Sequence, residues 1–139
     1  MNNDFRLAII VNPDMPLGLI ANTASAIAIG LGAREPSLAA RNLSDCMGRS
    51  IDVSSCLPVP VLQASQEAIG ALLMKAIAAK KGGEAVVPFP AFARSLHAYE
   101  EYERAMPGRN LQQEPIDGLG LVGPVKWVRS LTGSLKLMR

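Results

Sequence analysis

The stretch RLAIIVNPDMPLGLIANTASA, Arg6 to Ala26, decides how the rest of the chain reads. Arg6 to Val11 is a continuous apolar run with β-branched residues, the pattern of a central strand covered on both faces. Pro13 and Pro16 stop it, because a proline cannot donate to a ladder. From Leu17 to about Leu31 an apolar pattern with small residues (Ala21, Ala24, Ala26, Ala28, Gly30) predicts a helix buried on more than one side, with Gly32 as its stop. A strand handing over directly to a helix is the start of an α/β layer. It is also a common place for ligand sites. The polar groups at this junction are Asn12, Asp14, Asn22, Thr23 and Ser25, and they are the candidate ligand-binding residues.

The pattern continues outward. Arg34 to Cys56 has no clear period, and so long a structureless loop is uncommon in a compact domain. A short helical turn at Leu38 to Asn42 or a short strand at Ser50 to Val53 is expected to break it. Leu57 to Leu62 (LPVPVL) reads as a strand whose two prolines place it at a sheet edge. Ser65 can cap a helix from Gln66 to Lys81 with Glu67 in its first turn. Glu84 to Phe89 is a third strand. Ala91 to Met106 reads as a helix, and Leu119 to Val122 as a strand. Gly123-Pro124 leads into a short amphipathic helix with Val125, Val128 and Leu131 on one face, and a short LKLM tail follows. Alternation of strand and helix predicts one domain over residues 1–139, with helices on both faces of one largely parallel sheet.

Composition supports a packed α/β domain. Of 139 residues 49% are hydrophobic and 19% charged, while aromatics make up only 4%. Disorder is excluded on that balance. The net charge of +2 is not that of a nucleic-acid binder, so nucleic acid is not an expected partner. Lys75, Lys80 and Lys81 read as solvated helix-end residues, as do Lys126, Arg129, Lys136 and Arg139. Cys46 and Cys56 form no C-x-x-C pair. They are too few, with the single His97, for a zinc site. A disulfide across the short loop between them is one reading, and reduced thiols in a cytosolic protein the default. No metal site and no cofactor are expected. The N-terminus lacks the pattern of a signal peptide, and Leu17 to Ala33 falls short of a membrane span. A cytoplasmic protein without membrane attachment is expected.

Two motifs fail their physical tests. Gly118 to Gly123 matches G-x-G-x-x-G, but Gly118 and Gly120 fall at or inside a strand and Pro124 follows at once, so dinucleotide binding is rejected. Glycines that admit close packing explain the stretch. His97 sits among Leu96, Ala98 and Tyr99 with no identifiable triad partners and no G-x-S-x-G elbow.

The C-terminal LGLVGPVKWVRSLTGSLKLM, Leu119 to Met138, resembles the end of the peptidyl-tRNA hydrolase type II family, with Gly123, Pro124, Thr132, Gly133, Leu135, Lys136 and Leu137 matching in order. Met15, Gly18, Ile20 and Ala21 fall on that family's first strand–helix pattern. The whole chain is similar to a bacterial domain-of-unknown-function family, number 2000, in Asn12 to Asp14, Gly18 to Ala24, Leu57 to Leu62 and Gly123-Pro124. The resemblance implies an α/β/α three-layer sandwich around a four-stranded mixed, mostly parallel sheet of the peptidyl-tRNA hydrolase type II kind. It also implies that the hydrolase site has been removed. The family's lysines fall on Leu17 and Leu19, its glutamine on Thr23 and its histidine on Ala26, and leucine can neither orient a water nor bind a phosphate.

Three classes of function stay open at this point. One is a small-ligand binding protein, or an enzyme of unassigned chemistry, using the polar groups at the first helix. The second is an interaction module. A homodimer is expected here, because the first helix carries more apolar surface than one sheet face covers. The third is a divergent hydrolase of peptidyl- or aminoacyl-tRNA esters.

Overall fold

A computed structural model describes residues 4–139. Strand β1 (Phe5–Val11) forms as the apolar run requires, and β6 (Ile116–Pro124) runs antiparallel beside it along its whole length, from Phe5 opposite Pro124 to Val11 opposite Gly118. β5 (Ala85–Pro90) pairs antiparallel with β6. On the other side of β1 lie β4 (Val61–Gln63), parallel to it, and β7 (Lys136–Leu137), antiparallel to β4. The sheet order is β5-β6-β1-β4-β7. Among the described residues the sheet therefore has five strands, not four, and only its β1–β4 pairing is parallel. The reason lies in the connections. β6 returns to β1 by way of an edge strand and a helical crossing instead of a βαβ unit, and the turn at Gly133 folds the tail back as an added strand.

Alternate residues of β1 serve two cores. Leu7, Ile9 and Val11 pack with Ile20, Ile27 and Leu31 of α1 (Leu17–Arg34), while Ala8 and Ile10 pack with Ile69, Leu73 and Ala76 of α2 (Gln66–Ala79) and Val128 of α4 (Val125–Thr132). Each of the buried Val, Leu and Ile side chains contributes about 1.5–3 kcal/mol, and the alanines less. Helices thus cover both faces, as the alternation predicts. Ser65 Oγ accepts the Ala68 N–H at 3.1 Å, the cap expected for α2. The Trp127 indole N–H reaches the Ala79 carbonyl at 3.2 Å and ties α4 to the end of α2.

α1 departs from its expected burial. Only Ile20, Thr23, Ile27 and Leu31 are buried, and Leu17 and Ile29 remain 81% and 75% exposed. The sheet reaches one stripe of the helix because Gly118 and Gly120 of β6 let it sit close. A Cβ on Gly120 would lie 2.3 Å from Ile27 Cγ2, and one on Gly118 would lie 2.7 Å from Thr23 Cγ2. Close packing is what these glycines supply. α1 also passes through Gly32 and ends at Arg34, before Pro36. At 18 residues it is long and apolar enough to cross a membrane by length and composition, yet its buried stripe is seated on the sheet.

Three other expectations change. LPVPVL is strand only from Val61, and β4 is not an edge because the tail covers it. The proline-bearing edge is β5, with Pro88 and Pro90. The segment Ala91 to Met106 is broken into a 3-10 turn at Ala91–Ser95 and a helix α3 (Tyr99–Ala105), with Leu96 in extended geometry between them. The loop after α1 holds a 3-10 turn at Pro36–Leu38 and a hairpin of β2 (Asn42–Ser44) and β3 (Ser50–Asp52), the latter at the place expected for a strand.

Candidate functional site

The polar site lies where β1 and β4 end and β6 begins. Asn12, one residue past β1, is buried, and both ends of its amide are used. Nδ2 donates to Asp117 Oδ1 at 3.2 Å, and Oδ1 accepts the Asp14 N–H at 3.0 Å, which closes the Asn-Pro-Asp turn. The Asn12 backbone N–H continues the ladder to the Asp117 carbonyl at 2.9 Å. Asp117 is the extra residue of β6 where the pairing with β5 shifts between Phe89 and Pro90. A bulge of this kind re-aims one side chain, and here it turns a carboxylate into the polar end of the sheet.

Asp117 is the hub. Its side chain is 7% exposed, and Oδ1 accepts the Gln66 amide at 2.7 Å as well as that of Asn12. Oδ2 accepts Arg94 Nη2 at 3.1 Å in an ion pair. The same Nη2 lies 3.1 Å from Thr23 Oγ1 and 3.3 Å from Met15 Sδ, and the guanidinium stacks on Phe89, 4.9 Å from the ring centre. Burial pushes the Asp117 carboxyl up. The hydrogen bonds from Gln66, Asn12 and Arg94, with the Arg94 charge, outweigh that and hold it below the usual carboxylate value. Among the described residues, Arg94 Nη1 is a buried side-chain nitrogen with no hydrogen-bond partner.

Over this network opens a cleft of about 460 Å³. Asn12, Gln66, Arg94 and Asp117 lie toward its interior, Asp14, Ser65 and Glu67 stand at its rim, and Met15 and Leu19 give it an apolar side. A larger cavity of about 620 Å³ adjoins it across Gln66 and Glu67. A third, of about 560 Å³, is apolar and lies at the opposite end of β1, around Phe5 and Leu57 to Pro60. The polar cleft is the one whose lining converges on a buried charge network, the feature that marks binding sites in α/β folds. No group of three or more His, Cys, Asp or Glu that could hold a metal occurs among the described residues.

The sequence candidates divide. Asn12, Asp14 and Thr23 belong to this site, the first two lining the cleft and Thr23 holding Arg94 from beneath. Asn22 and Ser25 are exposed on the outer side of α1, so Asn22 neither ties down the Asn12 to Pro16 turn nor faces the cleft. Helical geometry explains the split, since Thr23 shares a face with Ile20 and Ile27 while residues 22 and 25 are turned away. Asp117, Arg94 and Gln66 escaped the sequence reading. A lone acid beside the apolar Gly118 to Val122 run, and a lone arginine in PFPAFARS, were the available signals. His97 is exposed, and its backbone N–H donates to Glu101.

A family model described as "Protein of unknown function (DUF2000)" matches residues 5–139, and the chain belongs to that family. A solved structure of a protein of unknown function from Agrobacterium, strain C58, superimposes with a TM-score of 0.88 at 16% identity, over 99% of this chain and 100% of that one, and shows the same fold. No curated protein matches the chain.

Proposed function

We propose that this DUF2000 protein binds a small polar ligand carrying an amine in the cleft above Asn12, Arg94 and Asp117. One observation carries the reading. Five residues from five separate segments, Asn12, Thr23, Gln66, Arg94 and Asp117, bury a charge and its partners at the floor of a cleft. An apolar floor of equal volume would stabilise the fold as well or better. Arg94 is neutralised by Asp117, which leaves the carboxylates of Asp14 and Glu67 at the rim without an ion pair among the described residues. The cleft therefore favours cationic over anionic ligands.

The finer fold reading is that of the peptidyl-tRNA hydrolase type II family. Gly123-Pro124 closes β6, α4 follows, and Lys136-Leu137 adds to the sheet edge, the order that the tail resemblance implies. The hydrolase activity itself is not part of the proposal. Leu19, at one of the two lysine positions, lines the cleft, and Leu17, at the other, projects into solvent. A cytoplasmic location in a bacterium completes the reading.

A thermal-shift screen of amines, amino-acid amides, carboxylates and nucleotides tests it. Amine-bearing compounds should raise the melting temperature of the native protein, and raise that of Glu67→Gln less. Stabilisation by nucleotides or carboxylates alone would defeat the assignment, as would turnover of N-blocked aminoacyl-tRNA near one per second.

A further inference from the structure

We propose that two copies of this chain pair through α1 and the β2–β3 hairpin about a twofold axis near Ser25. The observations are independent of the cleft. The outer side of α1 carries no charged residue from Leu17 to Ala33. It leaves Leu17 and Ile29 at 81% and 75% exposure, flanking Gly18, Ala21, Ser25 and Ala28. Among the described residues nothing lies within 4 Å of where a Cβ would stand on Gly18 or on Gly32, so no contact among them requires these residues to be glycine. A glycine in a helix costs about 1 kcal/mol against alanine, and close approach of another backbone is what returns it.

The β2–β3 hairpin has the same unmet need. All its residues from Arg41 to Asp52 are exposed, and its apolar cross-strand pair, Leu43 opposite Ile51, is 54% and 61% exposed with Met47 at 75% near the tip. Two strands alone are marginal without packing on one face. The base of the hairpin stands beside α1, since Ser54 and Ser55 line a small apolar crevice with Ala28 and Gly32.

The second copy is the occupant for three reasons. A twofold contact sets each residue against itself or its near neighbours, and an uncharged face meets itself without repulsion. The small residues at 18, 21, 25, 28 and 32 are spaced almost symmetrically about Ser25, so an antiparallel crossing there sets small against small and opposes the helix dipoles. Size decides the role of the hairpin. An 18-residue helix is about 27 Å long and roughly 10 Å wide. Its face is therefore about 270 Å², well below the roughly 800 Å² per partner of a stable interface, and the arm must supply much of the rest. A membrane-surface helix would instead carry basic residues along its polar face, and α1 has only Arg34, at its last residue.

Light scattering after size exclusion should give a mass that rises with concentration toward twice the 14.7 kDa chain. Ser25→Glu, which sets two carboxylates against each other at the axis, should hold it at one chain with an unchanged circular dichroism spectrum, and Leu43→Ser with Ile51→Ser should weaken pairing at least tenfold. Ser25→Cys, in a background of Cys46→Ser and Cys56→Ser, should cross-link on mild oxidation, and this variant decides should Ser25→Glu fail to fold. A constant single-chain mass for the native protein, a dimer that survives Ser25→Glu, or no Ser25→Cys cross-link would overturn the proposal. So would monomers that sediment with phosphatidylglycerol vesicles.

Discussion

Replacing Arg94 by methionine keeps the length of the side chain and removes its charge. Asp117 would then be a carboxylate with a 7% exposed side chain and no cation, and Thr23 Oγ1 would lose its partner. Breaking one side of a buried pair costs about 3–5 kcal/mol. Asp117 still keeps the amides of Gln66 at 2.7 Å and Asn12 at 3.2 Å, which places the cost near the lower end, about 3 kcal/mol. For a chain of this length that corresponds to roughly 9–18 °C in melting temperature. The pH dependence is the sharper reading. In the native protein the Asp117 carboxyl sits below its ordinary value, so its contribution is complete above about pH 4 and is lost as pH falls through the folded-state value. In Arg94→Met, burial acts with less opposition and the carboxyl moves up. A raised acid is penalised at neutral pH and relieved as pH falls toward the unfolded value. The stability gap between the two proteins, measured by urea unfolding, should therefore be wide at pH 7 and narrower at pH 4. A gap below about 1 kcal/mol at pH 7, or one of equal size at both pH values, would refute the reasoning.

Two further substitutions probe the frame. Gly120→Ala puts a Cβ 2.3 Å from Ile27 Cγ2, a methyl on a β-branched helical residue with little freedom to turn away, and should cost about 1–3 kcal/mol in calorimetry even after the entropy it removes from the unfolded chain. In an Ile27→Ala background, itself destabilised by the cavity it leaves, the further cost of Gly120→Ala should be smaller if the clash is its cause. Asn22→Ala touches an exposed side chain on α1 and should leave the melting temperature unchanged or a few degrees higher, since alanine is the better helix former. A fall of several degrees would mean that the amide ties down the preceding turn.

What the sequence reveals follows from where the information is local. Arg6 to Val11 alternates between two cores and reads as a central strand. Ser65 caps a helix because its hydroxyl reaches a backbone N–H three residues on. The direction of β6 is not local. Nothing between Ile116 and Pro124 states that it runs against β1, and the assumption of a βαβ unit gave the wrong sense. The extent of α1 burial is hidden in the sequence for a related reason. Its composition is apolar nearly all round, but how much of it meets the sheet depends on Gly118 and Gly120, some hundred residues away. The site shows the same split. Asn12 and Asp14 are legible as a turn, while Asp117 and Arg94 acquire meaning only when a bulge and an edge strand bring them to the end of β1.

The central claim is that the cleft beside Asp117 takes an amine-bearing ligand, and titration of putrescine and of glycinamide into the isotopically labelled protein tests it most directly. Binding at about 1 mM or tighter, some 4 kcal/mol, should move the amide resonances of Asp14, Leu19, Ser65, Glu67 and Asp117 together, with one saturation curve. Glu67→Gln should weaken binding several-fold with little change in folding. No saturable shift with either probe, or shifts confined to the apolar cavity around Phe5 and Val59, would contradict it.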